Sequence, residues 1–164
     1  MRSRLFFSSV NDFIGDEIPA YAILSHTWDK GQEVTFDDLI KNSGKSKTGY
    51  NKIRFCALQA KRDSLYYFWI DTCCIDKSNN AELSEAIISM FCWYKNAKKC
   101  YVYLSDVSSR SSGEGSDAHR RQKPVIRESR WFTRGWTLQE LIAPASVKFL
   151  SKDRERLGDK SSLT

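Results

Sequence analysis

Residues 65–76 read LYYFWIDTCCID: six apolar and aromatic side chains without a break, then two carboxylates set among a hydroxyl and two thiols. A continuous run of that length is too short for a typical helix. Its aromatic content fits a strand buried on both faces, as in a parallel sheet. Asp71 and Asp76 then fall just past the strand's end, in a loop over the carboxyl edge of the sheet.

The same pattern recurs on either side. YAILS at 21–25 is followed by His26, Thr27 and Trp28; CYVYL at 100–104 closes on Ser105 and Asp106; Val147–Leu150 supplies a fourth run. Helical periods lie between them. In Tyr50–Asp63, Ile53, Cys56, Ala57 and Ala60 fall on one stripe, with Lys52, Arg54, Lys61 and Arg62 mostly elsewhere. After Asn79, which opens a capping box with Glu82, the residues Leu83, Ala86, Ile87, Met90, Phe91 and Tyr94 step at helical spacing. Thr35–Lys41 reads as a short helix with Thr35 as its N-cap. Alternation of this kind implies an α/β domain with a mostly parallel sheet. The expected spatial order is 65–70, 21–25, 100–104, 147–150, and the polar ends of the first three gather along one edge.

The chain of 164 residues suits one domain, and 41% apolar with 13% aromatic residues argues against disorder. No apolar run approaches the roughly 18 residues of a membrane span. The charge of +6 is broken by acids and carries no nucleic-acid-reading motif, so a solvated face is the expectation and no nucleic acid is expected as a partner. Five cysteines without repeated spacing, and only His26 and His119 beside them, argue against zinc and imply reduced thiols in a cytoplasmic protein. Residues 1–18 are weakly patterned and read as an N-terminal extension. The segment 107–128, rich in Ser, Gly and Arg, reads as a mobile insertion, and 151–164 as a polar end without a closing element.

One further stretch carries chemistry. SRWFTRGWTLQELIAP, 129–144, sets Arg130, Arg134, Trp131 and Trp136 beside the single carboxylate Glu140. Thr137-x-x-Glu140 also spells a capping box, with Trp136 and Leu141 at the staple positions. Glu140 is therefore either a helix cap or a functional carboxylate near aromatic surface and cations.

YAILSHTW, FWIDTCCID, the AELSEAI helix and SRWFTRGWTLQELIAP, in this order and spacing, together resemble the heterokaryon-incompatibility (HET) domain of filamentous fungi, over about 19–150. That resemblance implies a non-self recognition effector that triggers cell death, in proteins where the domain accompanies NACHT-type and WD-repeat modules and self-associates on activation. More distantly, W-x-x-x-E-L at Trp136–Leu141 is similar to a TIR domain. This implies a flavodoxin-like three-layer fold, strand order 2-1-3-4 with helices on both faces, and NAD as substrate with no tightly bound cofactor. Glu140 then stands where TIR enzymes have their catalytic glutamate. Ser25, His26, Trp28, Asp71, Cys74, Asp76, Arg130, Trp131, Arg134 and Trp136 are the expected ligand-binding positions. A tryptophan would stack on a ring and an arginine would take the pyrophosphate, if the arginines are not simply paired at the surface. A non-catalytic TIR-like interaction module is the alternative.

Overall fold

The computed structural model describes residues 2–6, 10–14, 17–109 and 126–163. Most of the expected insertion, 110–125, lies outside the described residues. The strands are β1 (Arg2–Phe6), β2 (Val10–Ile14), β3 (Tyr21–His26), β4 (Tyr67–Trp69), β5 (Lys99–Leu104), β6 (Val147–Ser151) and β7 (Arg156–Asp159). The helices are α1 (Phe36–Ile40), α2 (Tyr50–Arg62), α3 (Asn80–Asn96) and α4 (Thr137–Ile142). Together the strands form one mostly parallel sheet in the order β2-β1-β4-β3-β5-β6-β7.

Its centre is the parallel set β4, β3, β5 and β6, with Ile23 opposite Trp69 on one side and Cys100 on the other. All six residues of β3 are buried, as a strand with neighbours on both edges and helices over its faces requires. The connection through α2 steps one way across the sheet, while those through α3 and α4 step the other. Right-handed crossovers therefore put α2 on one face and α3 with α4 on the opposite one. In agreement, α2 packs on β3, β4 and β5, whereas α3 packs beside α4.

Both ends of the chain add strands that their sequence does not announce. The β1–β2 hairpin joins β4 antiparallel through Phe6 and Phe68, so β4 is flanked on both sides and does not hold the outer position expected for 65–70. At the other end β7 returns antiparallel on β6, closing the segment expected to trail away.

Two helical stripes also differ from expectation. In α2 the ammonium-bearing Lys52 is buried with Ile53, Phe55, Cys56, Gln59 and Ala60. In α3 the buried side chains are Ala86, Trp93 and Tyr94, while Ile87 and Phe91 face solvent. This helix has apolar residues on more than one face, so helical spacing alone fits several stripes. Aromatic bulk decides between them: Trp69 packs against Trp93 at 5.1 Å and Tyr94 at 6.3 Å between ring centroids.

The short loop before α2 is fixed by close backbone approach. The Gly49 amide donates to the Gln32 carbonyl at 2.9 Å, and a Cβ at Gly49 would lie 2.6 Å from that oxygen and 2.8 Å from the Cα of Glu33. Gly49→Ala is expected to destabilise the fold by about 1–3 kcal/mol, because backbone rather than a flexible side chain must move. Urea unfolding would measure it, and an unchanged midpoint would refute the close approach.

Candidate functional site

At the carboxyl end of β3 two neighbouring residues, Ser25 and His26, point to opposite faces of the sheet, as successive strand residues must. Each is almost fully buried, and each anchors a different polar cluster.

On the α3–α4 face Ser25 meets Glu140. The Ser25 hydroxyl donates to Glu140 Oε2 at 2.5 Å and accepts from the Trp131 indole N–H at 2.6 Å. Arg134 closes on the same carboxylate with both guanidinium arms, Nη1 to Oε2 at 2.9 Å and Nη2 to Oε1 at 3.1 Å. Such bidentate charge-assisted pairing is stronger than a neutral hydrogen bond. Glu140 is only 4% exposed. Its field reaches the neighbouring core: burial first, and then the Glu140 charge, push the Tyr94 phenol and the Cys100 thiol well above their ordinary values.

The expected capping box is not formed. The Thr137 hydroxyl donates to the Trp131 carbonyl at 2.6 Å, Trp136 takes the cap position with helical dihedrals, and the Glu140 amide binds the Trp136 carbonyl. Glu140 is drawn away from the helix start because Ser25 and Arg134 offer its charge better partners than a terminal amide would. The second motif fares differently: Asn79 does cap α3, accepting from the amides of Ala81 and Glu82, while the Glu82 side chain accepts from the Asp76 amide at 2.7 Å.

On the α2 face His26 lies between two carboxylates. Its Nε2 is 3.4 Å from Glu33 Oε2 and its Nδ1 is 3.9 Å from Asp71 Oδ1, and neither nitrogen is aligned for a hydrogen bond. The buried Lys52 ammonium pairs with Glu33, with Asp29 at 3.0 Å and with the Thr27 carbonyl at 2.9 Å. Arg130 extends the chain of charges along the surface, 3.9 Å from Asp29 and 3.7 Å from Asp106. Asp106 in turn accepts from the Ser129 hydroxyl and the Arg130 amide, which ties the end of β5 to the turn before α4. Burial works to raise the Asp106 carboxyl, and these donors together hold it below its ordinary value.

The structure thus brings the expected ligand-binding positions Ser25, Trp131 and Arg134 around the catalytic candidate Glu140 in one cluster, and His26, Asp71 and Arg130 into or beside another. Trp131 has no exposed surface and packs edge-on against Phe132 and Phe149, so in this conformation it is a core wall and cannot stack on a ligand. Cys74 is also structural: its sulfur accepts from the Ile70 amide at the end of β4. Asp76 turns its loop by accepting from the amide and hydroxyl of Ser78. Trp28 and Trp136 are half-exposed, and the Lys77 ammonium sits 3.8 Å above the Trp28 ring. A groove of about 470 Å³ is lined by Lys77 together with Thr35, Asp37, Ile40, Thr72 and Asp76, among others.

Glu33, Lys52 and Tyr94 have no motif around them. Lys52 leaves a trace in the sequence, since it shares the inward register of Cys56 and Gln59, and Tyr94 falls in the apolar helical series read after Asn79. Among the described residues no three His, Cys, Asp or Glu side chains are grouped to hold a metal ion, and no helix is long and apolar enough to cross a membrane.

The α/β sheet and the sequence blocks it carries point to one class of protein, and comparison with known proteins gives the family. The model of the heterokaryon incompatibility protein (HET) family matches residues 21–126, and the chain belongs to that family. Vegetative incompatibility protein HET-E-1 of Podospora anserina is 56% identical over 153 residues, which cover 93% of this chain and 11% of that protein. The chain therefore spans about a tenth of the length of this relative. No solved structure matches it.

The Glu33 network makes the fold acid-sensitive in a defined window. Burial works to raise the Glu33 carboxyl, but the His26 ring, the Lys52 ammonium and the Asp29 amide together bring it down from 4.5 to about 2. A carboxyl lowered on folding stabilises the native state above its unfolded value, and that contribution fades as pH falls from near 4.5 through about 2. Glu33→Gln should remove at most about 3 kcal/mol at neutral pH and flatten the stability profile across that window. Urea melts at several pH values would show it; a profile as steep as that of the parent would place the acid sensitivity elsewhere.

Proposed function

We infer that this chain is the effector domain of a heterokaryon-incompatibility protein, with 19–150 as its HET unit, and that it triggers regulated cell death by cleaving NAD once copies self-associate. On this reading the fold is TIR-like and flavodoxin-like, and NACHT-type and WD-repeat receptor modules act with it in cis or in trans. One observation carries the reading. The Glu140 carboxylate is buried at the end of the central strands among Ser25, Arg134 and Trp131, and is not used as a helix cap.

The chemistry requires little more. In NAD the bond between the ribose C1′ and the nicotinamide nitrogen breaks, and its electron pair leaves with nicotinamide, which departs neutral and needs no acid. Water then adds to C1′, giving ADP-ribose and a proton. The transition state is oxocarbenium-like, and a fixed carboxylate beside it stabilises the developing charge. Arg134, which is partly exposed, takes the pyrophosphate when it releases Glu140, and the exposed rings of Trp28 and Trp136 offer stacking surface.

A specific observation also favours the second reading, a non-catalytic interaction module. Both Glu140 oxygens are already engaged and the residue is closed to solvent.

Release of nicotinamide from NAD by the concentrated purified protein separates the two. Glu140→Gln should lower that rate about a hundredfold or more. Because this change orphans Arg134, it should also cost about 1–3 kcal/mol of stability. Glu140→Gln with Arg134→Gln removes both charges, and should regain stability while staying inactive. Cell killing by a parent protein that releases no nicotinamide would establish the interaction module instead.

A further inference from the structure

We propose that the exposed face of α3 is a two-fold interface on which a second copy of this chain packs antiparallel. The proposal specifies the surface of the self-association invoked above, and it stands whether the domain hydrolyses NAD or recruits partners.

The observation is a run of apolar side chains that the fold leaves uncovered. Ile88 is 81% exposed at the middle of the helix, with Ile87 at 48% and Phe91 at 46% beside it. Scattered exposed apolar residues are ordinary, but several together on one helix face mark an interaction site. The neighbouring helix α4 carries two more, Leu138 and Ile142. The core does not call for these residues, because Ala86, Trp93 and Tyr94 already fill the inward side of α3.

The charges on this face identify the occupant. Glu85 lies near one end of the exposed stripe and Lys95 near the other, and both side chains are exposed. They are about 15 Å apart along the axis at 1.5 Å per residue. Among the described residues neither has an ion-pair partner within the chain. Position 90 is the midpoint between Glu85 and Lys95 and between Ile88 and Cys92. Across a two-fold axis at that point, Glu85 of one copy comes within reach of Lys95 of the other, and Ile88 meets Cys92. A parallel arrangement would instead set Glu85 against Glu85 and Lys95 against Lys95, which like charges disfavour. A surface that complements itself in this way is the signature of an isologous contact. The chain's net charge of +6 opposes association in general, so the local pairing of opposite charges is what makes this face suitable.

Cys92 supplies the probe. It is the exposed cysteine, while Cys56, Cys73, Cys74 and Cys100 are buried. Two copies of Cys92 in the proposed pairing stand about 6 Å apart along the axis, across helices separated by about 8–10 Å. A short bis-maleimide linker should therefore join them.

The test combines sedimentation equilibrium of the 164-residue chain with cross-linking. The parent is expected to dimerise with rising concentration and to cross-link through Cys92, and Cys92→Ser to abolish the cross-link alone. Ile88→Lys should weaken the dimer about tenfold or more while leaving the melting temperature of the monomer unchanged, since the side chain is exposed. Glu85→Lys and Lys95→Glu should each weaken it, and the double exchange should restore it. A chain that stays monomeric at every concentration overturns the proposal. So does a dimer indifferent to Ile88→Lys, which would place the contact on another face, or a double exchange that fails to restore association. Nicotinamide release measured on the same variants keeps the two questions apart, because loss of the dimer leaves the chemistry of Glu140 testable on cross-linked protein.

Discussion

A carboxylate buried at the end of the central strands must be matched by donors, and the elements around Glu140 are arranged to supply them. Ser25 comes from β3, Arg134 from the turn before α4, and Trp131 holds the Ser25 hydroxyl from the third side. Leaving such a charge without partners would cost several kcal/mol, so these donors fix the position of α4 more firmly than its six residues could by themselves. The rest of the turn serves the same end. Thr137 ties its hydroxyl to the Trp131 carbonyl, and Asp106 grips Ser129 and the Arg130 amide, so the turn before α4 is tied to the end of β5.

The adjacent residue, His26, shows what the pleat of β3 imposes. Ser25 faces α4 and His26 faces α2, so one residue step divides the polar end of the strand into two clusters with a buried wall between them. The α2 cluster is richer in charge, with Lys52, Glu33 and Asp71 around the ring, and yet less completely hydrogen-bonded. A molecule bound over the carboxyl edge would meet both clusters only at the strand's end.

Much of the architecture was legible from residue patterns. YAILS, CYVYL and the run at 147–150 are strands because continuous apolar segments of that length satisfy a doubly covered sheet, whereas of LYYFWI only Tyr67–Trp69 pairs, with Tyr66 turned out to solvent. The ends of the chain were not legible. β1, β2 and β7 pair outside the parallel set, and their segments carry no continuous apolar run to announce a strand. Glu140 was legible as a candidate but its partner was misread. Thr137-x-x-Glu140 satisfies the spacing of a capping box, and spacing cannot say that a serine 115 positions earlier will take the carboxylate instead. Lys52 and Ile87 show the same limit from opposite sides. Helical periodicity sorts residues by angle, but a buried counter-charge draws a lysine inward, and bulkier aromatic neighbours turn an isoleucine out.

The arrangement around Glu140 also constrains which ligand could open it. Arg134 and Glu140 neutralise each other at short range, and separating them in a partly buried place costs more than a surface pair would. A neutral ligand supplies neither missing charge and would leave both groups unpaired. An anion alone could replace Glu140 beside Arg134, but would leave the carboxylate buried and bare. A molecule that carries a cationic ring and a pyrophosphate exchanges both partners at once: the pyrophosphate takes the guanidinium and the ring's positive charge approaches the carboxylate. The proposed substrate has that pattern. In the proposed reaction that cation would be discharged as nicotinamide leaves, and positive charge would pass to the ribose beside the Glu140 carboxylate. Under the proposed function the closed ion pair would be a resting state, in which Arg134 withholds Glu140 until a ligand bearing both signs displaces it.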